Sequence, residues 1–205
     1  MNPTRLYLLR HGEVEASYQR VFGGRVDMEL SPHGHAQAAA LAKFLERVAF
    51  DAIYASPMKR AQQTLAPLAC QYLRKPTTLP DLHEMDFGIW TGLKWSEVLE
   101  RYGVNAHQWL EQLDKDAVPG AENTKQVRAR VERCLQCILS ECSGKTVAVV
   151  CHGGIVRMLL SLLLDMPITK TAAFEIDYAS LTVVDHRPDK VDLQLLNLTP
   201  WRDHL

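Results

Sequence analysis

The sequence lacks any excess of one charge sign. It carries 23 Lys+Arg and 24 Asp+Glu, which gives a formal net charge of -1 over 205 residues. Proteins that bind nucleic acid or anionic membrane surfaces rely on an accumulated basic patch. We therefore predict that neither is the main partner, and that any anion this protein binds is held by a few local side chains.

Long hydrophobic runs are also missing. The longest strongly apolar stretch, at residues 158–164, is far shorter than the ~20 residues that cross a bilayer. Residues 1–5, with the sequence MNPTR, show neither the apolar core nor the small-residue cleavage site of a signal peptide. These features predict a protein without a membrane segment.

Cysteines in a disulfide-framework spacing are absent. The 5 cysteines are an odd number and follow no such pattern; they are Cys70, Cys134, Cys137, Cys142 and Cys151. This usage predicts a reducing cytoplasm. Cys151 ends a predicted strand, where a thiol is most often an inert small apolar side chain, so we expect no catalytic role for it.

Glycine and proline are too scarce for a fibrous or disordered chain. The sequence has 11 Gly and 10 Pro, and 47% of its residues are hydrophobic, a composition typical of globular domains. No internal repeat, low-complexity stretch or linker divides the chain. We predict a single domain over residues 1–205.

Short apolar runs alternate with helical periods along the chain. Short apolar runs predict strands at 5–9, 51–55, 77–79, 146–151, 180–184 and 191–196, and the run at 146–151 is rich in β-branched residues. Helical spacing predicts helices at 31–47, 56–73, 95–113 (broken near Gly103), 123–141 and 155–164, and a short one from Pro167. This order predicts an α/β fold of three layers, with a mostly parallel central sheet and helices on both faces.

Two of the predicted strands end in histidine followed by glycine. The sequence RHGE stands at residues 10–13, and CHGG at residues 151–154. In an open α/β sheet, ligands bind outside the carboxyl ends of the strands, and glycine lets backbone amides approach a ligand closely. One strand-end histidine is usually a satisfied polar residue, whereas two of them, one preceded by arginine, predict a shared functional crevice.

Four separated motifs occur in an order and spacing typical of one family. They are RHGE at residues 10–13, SPMKRAQQT at 56–64, EMDFGIWTG at 84–92 and HGG at 152–154. From about residue 6 to residue 167 the chain resembles the histidine phosphatase superfamily, which has the phosphoglycerate mutase-like fold. FDAIY at 50–54, the motif at 84–92 and PGAE at 119–122 are most similar to its α-ribazole phosphatase branch.

The resemblance implies which residues carry the chemistry. It makes His11 the nucleophile that forms a phosphohistidine, and Glu84 the proton donor to the leaving oxygen and later the base for water. Arg10, Arg60 and His152 are then cationic donors to the phosphate oxygens. Arginine suits this role because its planar fork binds two oxygens and keeps its charge. No metal ion and no cofactor is expected.

Further substrate contacts are expected from Ser17, Gly23, Gly24 and Gly153. The family often has Thr and Asn where this chain has Val14 and Ser17. Ser17 can still donate one hydrogen bond, and Val14 cannot. The glycine pair lies in a loop over residues 18–27 that is expected to cover the pocket.

Residues 94–120 fall where the resemblance implies a variable lid over the active site. Trp95 and Trp109 lie in this segment, and Trp90 lies just before it. Aromatic faces of this kind can form a stacking wall for a base or a sugar, although core packing is the expected place of Trp90. Substrate choice is expected to depend on the lid segment.

The motifs favour a metal-independent phosphomonoesterase that hydrolyses a small phosphorylated metabolite, with α-ribazole 5′-phosphate as the candidate substrate. One alternative is a phosphoglycerate mutase-type phosphotransferase, although the basic insertion of the longer mutases is not found here. Another is a non-catalytic regulator that binds a phospho-ligand, although such proteins usually lack the nucleophile or the acid. The oligomeric state stays open, with a homodimer among the alternatives.

Overall fold

The computed structural model describes residues 2–72 and 75–203. Its centre is a six-stranded sheet with the strand order β3-β2-β4-β1-β5-β6. The strands are β1 (Thr4–Arg10), β2 (Ala52–Ala55), β3 (Thr77–Thr78), β4 (Thr146–Cys151), β5 (Leu181–Arg187) and β6 (Lys190–Leu198). In this described part, β3, β2, β4 and β1 run parallel to one another, while β5 is antiparallel to both β1 and β6.

Helices of unequal length connect and cover these strands. The helices are α1 (Pro32–Phe44), α2 (Lys59–Ala69), α3 (Trp95–Tyr102), α4 (Trp109–Asp114), α5 (Thr124–Glu141), α6 (Gly153–Leu163) and α7 (Pro200–Asp203). Short 3₁₀ turns lie at Ala16–Tyr18, Pro80–Leu82, Gly88–Trp90, Ala106–Gln108 and Ile168–Ala173. Across residues 2–72 and 75–203, no helix combines the length and apolar character needed to cross a membrane.

The centre of the sheet is buried on both faces, whereas the edge strands β3 and β6 are largely exposed or half-buried. Successive side chains of a strand point to opposite sides, so Val147 and Val149 of β4 join the core under α5 and α6, whereas Ala148 and Val150 join the core under α1 and α2. Each fully buried Val side chain contributes roughly 1.5–3 kcal/mol to stability. The prediction of a three-layer α/β fold with a mostly parallel sheet is confirmed.

Local capping explains where several predicted helices begin and end. The Ser31 side chain accepts a hydrogen bond from the Gly34 amide, so α1 starts as predicted, although it ends at Phe44 rather than at residue 47. Gly103 ends α3 with a left-handed φ of 68°, which confirms the predicted break. Helix α6 begins at Gly153, earlier than the predicted residue 155, because His152 is already its extended N-cap.

The second helix begins later than the sequence predicts. The Ser56 hydroxyl accepts a hydrogen bond from the Met58 amide at 3.3 Å, which holds a bend across Pro57 and delays α2 to Lys59. Its described part ends at Ala69. The predicted end at Leu73 lies outside the described residues.

Candidate active site

A cavity of about 700 Å³ opens at the carboxyl ends of β1 and β4. These strands are parallel neighbours, with Arg10 paired to Cys151. The next residue of each strand is a histidine, so His11 and His152 come side by side with ring centroids 5.2 Å apart. The shared crevice expected from the two His-Gly motifs is therefore present.

The His11 ring is held in one neutral tautomer. Its Nδ1 lies 2.8 Å from the Gly12 carbonyl oxygen, and its Nε2 lies 3.2 Å from the Arg60 Nε. A carbonyl only accepts and a guanidinium N–H only donates, so Nδ1 carries the proton and Nε2 keeps the lone pair that accepts from Arg60. Burial, reinforced by Arg60 and Arg10, lowers the pKa of His11 well below its usual value.

The fully buried His152 ring is also neutral. Its Nδ1 accepts a hydrogen bond from Arg60 Nε at 3.2 Å, and its Nε2 lies 2.7 Å from the Ser56 hydroxyl, to which it donates. Burial and then the positive charge of Arg60 hold the pKa of His152 well below its usual value. The cationic donor role that the sequence led us to expect of His152 stays a prediction.

Arg60 joins both histidines to the loop over residues 18–27. It is 2% exposed, and besides its Nε contacts it donates from Nη1 to the Val26 carbonyl at 2.7 Å and from Nη2 to the Gly24 carbonyl at 2.9 Å. Burial is the main cause that lowers its pKa to about 10, so the guanidinium stays charged at neutral pH. Gly23 and Gly24 line the cavity beside it.

Arg10 has an unused donor. Its Nη1 donates to the Ile176 carbonyl, and its guanidinium carbon lies 4.1 Å from the centroid of the Tyr178 ring. Its Nε is buried and has no hydrogen-bond partner, the one such side-chain atom in the described residues. Gly153 packs against this guanidinium. Because a buried donor without a partner is costly, this N–H is suited to an anionic ligand.

The Glu84 carboxyl is oriented by two backbone amides. Its Oε1 accepts a hydrogen bond from the Met85 N–H at 2.9 Å, and its Oε2 accepts one from the Gly154 N–H at 3.2 Å. A Cβ at position 154 would lie 2.5 Å from Oε1, so any other residue there would push the Glu84 carboxyl out of this position. Glu84 lines the same cavity as Arg10, His11 and Arg60.

Other predicted residues fall in different places. Gly153 lines the cavity, and buried Val14 forms part of its apolar wall. Ser17 is exposed in a 3₁₀ turn and does not line the cavity, so the structure does not bring this predicted contact to the site. Cys151 is fully buried, and burial raises the pKa of its thiol, which agrees with an inert role.

The segment over residues 94–120 forms an outer, partly apolar wall. Trp95, His107 and Trp109 line the cavity from this segment, and 44% of Trp95 is exposed. Trp109 meets Phe87 edge to face, with ring centroids 5.4 Å apart. Trp90 is buried in the core, as expected. A flat or apolar group beside the phosphate site would therefore meet aromatic side chains.

Several polar residues of the site were missed, and Arg157, Ser56 and Tyr178 are among them. Arg157 lines the cavity and donates to the Thr171 carbonyl; its position four residues after Gly153 on one helix was the available signal. Ser56 orients His152 and stands inside the motif at residues 56–64. Tyr178 lies in a loop without periodic pattern, so no sequence signal pointed to it.

The cavity is suited to an anion more than to a metal ion. Arg10, Arg60 and Arg157 line it, and none of them has a carboxylate within 4.0 Å among the described residues. No group of three or more His, Cys, Asp or Glu side chains in that part of the chain has the geometry to hold a metal ion. Guanidinium donors of this kind match the oxygens of a phosphate group.

The chain belongs to the histidine phosphatase superfamily. The family model for branch 1 of that superfamily matches residues 6–199. The family resemblance inferred from the four motifs is thus confirmed over more of the chain than the motifs span.

Relatives and solved structures of this family carry several phosphatase names. The chain is 36% identical to the bifunctional protein Rv2228c of Mycobacterium tuberculosis over 97% of its own length, and it spans only 55% of that relative. It is 31% identical to phosphoserine phosphatase 1 of Hydrogenobacter thermophilus, covering 95% of this chain and 92% of the other.

Two solved structures share the whole fold. The α-ribazole phosphatase of Shigella flexneri superposes with a TM-score of 0.83 at 27% identity, over 96% of this chain and 97% of the other. The mycobacterial glucosyl-3-phosphoglycerate phosphatase Rv2419c superposes with a TM-score of 0.86 at 25% identity, over 96% and 99%. The similarity to the α-ribazole phosphatase branch that the motifs predict is therefore confirmed.

Proposed function

We propose that the protein is a metal-independent phosphomonoesterase that works through a phosphohistidine on His11. One observation carries the proposal: the unprotonated Nε2 of His11 points at the Arg60 Nε, beside the unused donor of Arg10. A neutral imidazole is not repelled by a phosphate dianion, and the two guanidiniums stabilise charge on its oxygens. Membership of the superfamily supports the same chemistry.

In the first step His11 Nε2 attacks the phosphorus of the ester. The new P–N bond forms as the bond to the leaving oxygen breaks, and the leaving oxygen takes a proton from the Glu84 carboxyl. Arg10 and Arg60 hold the phosphoryl oxygens, and Gly153 keeps the backbone close to them. His152 acts as a neutral neighbour whose Nδ1 fixes the orientation of Arg60.

In the second step water replaces the histidine. Glu84, now ionised, takes a proton from water as its oxygen bonds to phosphorus, and the P–N bond breaks to release inorganic phosphate and the starting His11. The cycle needs no outside oxidant, reductant or cofactor. A mutase would instead pass the phosphoryl group to a second substrate hydroxyl.

For the substrate we propose a small metabolite with a ring next to its phosphate, with α-ribazole 5′-phosphate as the leading candidate. The support is the aromatic wall of Trp95 and Trp109, together with a cavity of about 700 Å³ that exceeds the needs of phosphate alone. The α-ribazole phosphatase of Shigella flexneri has the same fold. We also propose the cytoplasm as compartment, in keeping with free thiols such as the exposed Cys70.

Phosphate release from a panel of monoesters tests this function. The panel holds α-ribazole 5′-phosphate, sugar phosphates, phosphoserine and 3-phosphoglycerate, with EDTA present. We expect activity to survive EDTA and to fall at least about 10³-fold in His11→Ala. The matched control, His35→Ala, removes an exposed histidine of α1 and should keep full activity.

Three results would contradict the proposal. Activity that EDTA abolishes would point to a metal-assisted route. Activity that persists in His11→Ala would remove the nucleophile. Transfer of phosphate between the hydroxyls of a glycerate phosphate, in place of release to water, would favour the mutase.

A further inference from the structure

A buried arginine on α5 donates three hydrogen bonds to one short segment of chain and two to a carboxylate. Arg130 is 5% exposed. Its Nη1 donates to the carbonyls of Asp81 at 2.6 Å and His83 at 2.8 Å, and its Nη2 donates to the carbonyl of Glu84 at 3.3 Å. Its remaining two N–H groups bind the Glu122 carboxylate, each at 2.9 Å, so the five donors of the guanidinium all have partners.

Glu122 holds the same segment from its other end. Its Oε2 accepts a hydrogen bond from the Asp86 N–H at 3.1 Å, and its own N–H donates to the Asp86 carbonyl at 3.0 Å. Burial disfavours the ionised form, but Arg130 outweighs it and the pKa of Glu122 lies below its usual value. Together Arg130 and Glu122 form an ion-pair clamp around residues 81–86.

The clamp does not reach the cavity. Neither Arg130 nor Glu122 lines it, and Glu84 points its carboxyl away from them to the amides of Met85 and Gly154. The contact with Glu84 is made only to its backbone carbonyl. Any effect of the clamp on chemistry must therefore pass through the position of the Glu84 carboxyl.

We propose that Arg130 and Glu122 are positioning residues that set the distance between the Glu84 carboxyl and the leaving oxygen of the substrate. This inference rests on the proposed function, because it assigns the clamp to the proton-donation step. Lysine at position 130 keeps the charge but cannot make five bonds in a fixed plane. Carboxyl displacements of about 1 Å can cost about 100-fold in rate.

The test compares two phosphate esters of similar size whose hydrolysis depends to different degrees on protonation of the leaving oxygen. Phenolate is the poorer leaving group, so phenyl phosphate depends on proton donation more than para-nitrophenyl phosphate does. For Arg130→Lys we expect kcat/KM to fall roughly 30-fold with phenyl phosphate and at most about three-fold with para-nitrophenyl phosphate. Glu122→Gln is the second variant, used in the same way if Arg130→Lys fails to fold.

The matched control is Arg133→Lys, one turn further along α5. Arg133 is exposed and pairs with the Asp81 side chain at 2.9 Å, leaving the backbone carbonyls of the segment alone. We expect no change with either ester. In addition, Arg130→Lys placed in a Glu84→Gln background should cause little further loss with phenyl phosphate, because the two changes act on one step.

The outcomes separate this proposal from the function on which it rests. Equal losses with both esters, or a full additional loss in the Glu84→Gln background, would show that the clamp only stabilises the fold. Both clamp variants could also lose all activity while keeping the wild-type melting temperature and orthovanadate affinity. If that loss is as large with para-nitrophenyl phosphate as with phenyl phosphate, the clamp proposal is overturned. Phosphate release that does not need His11 would instead overturn the proposed function.

Discussion

The inner and outer ends of the cavity are built in different ways. At the inner end His11, His152 and Arg60 are at most 5% exposed and stand on strand ends and a helix start. At the outer end, Trp95 and Trp109 stand on short helices, and Trp95 is 44% exposed. The inner end can hold reacting groups in one geometry, whereas the outer wall can change without disturbing them. We therefore expect chemistry and substrate choice to depend on separate parts of the cavity.

The largest effect should come from replacing Glu84, the carboxyl at the inner end of the cavity. In Glu84→Gln we expect kcat/KM with phenyl phosphate to fall about 10²–10⁴-fold. Binding of inorganic phosphate, measured by titration calorimetry, should be unchanged or tighter, because a negative charge next to an anion is removed. The control is Glu100→Gln, an exposed carboxyl on α3. Joint loss of binding and turnover would contradict the role given to Glu84.

A smaller effect should appear in how the free energy of unfolding changes with pH, because the inner end holds two buried histidines. The pKa values of buried His11 and His152 are lowered on folding, so their stabilisation is complete above the unfolded value of about 6.5 and is lost as pH falls. Each ring that stays neutral should increase the slope of unfolding free energy against pH by at most about 1.4 kcal/mol per pH unit. Urea unfolding from about pH 7.5 to about pH 5 measures it.

The variant His152→Asn sharpens that measurement. It removes one titrating ring, so the slope of unfolding free energy against pH should decrease by up to about 1.4 kcal/mol per unit. His35→Asn is the control, because His35 is exposed and should leave the slope as it is. An unchanged slope in His152→Asn would mean that this ring is protonated in the folded protein.

The smallest effect should come from the outer wall. Trp109→Ala is expected to lower kcat/KM about ten-fold for phenyl phosphate, since an aromatic contact contributes roughly 0.5–1.5 kcal/mol, and to leave phosphoserine nearly unaffected. Because Trp109 also packs on Phe87, the more exposed Trp95→Ala serves as the second variant. Equal losses for both substrates in Trp95→Ala would show that the wall does not select the leaving group.

The sequence was sufficient for the parts of the site that follow from strand order. Parallel neighbours bring their carboxyl ends to one edge, so two strands ending in His-Gly had to deliver His11 and His152 together, and the register of Arg10 with Cys151 shows how. The family resemblance likewise pointed to Arg60 and Glu84, which line the same cavity. The central strands β1 and β4 were predicted from their apolar runs, which are buried on both faces.

The charge state of a side chain and the direction in which it points could not be predicted from the sequence in the same way. The sequence shows that residue 152 is a histidine, but its neutrality depends on burial and on the Arg60 donor that faces it. Ser17 is close to His11 along the chain and still points to solvent, because the intervening turn directs it outward. In the sequence, Arg130 is one of several charged residues in the predicted helix at 123–141. Only the path of residues 81–86 explains why it is buried.

The place of β1 in the sheet affects how the protein is made. β1 lies between β4 and β5, and both of these strands follow it far along the sequence. A ribosome must therefore reach β4 before β1 finds a neighbour in this sheet, and such pairing of distant segments slows folding. Fragments that stop before β4 lack both His152 and the parallel strand that pairs with β1, so they cannot bring the two histidines together.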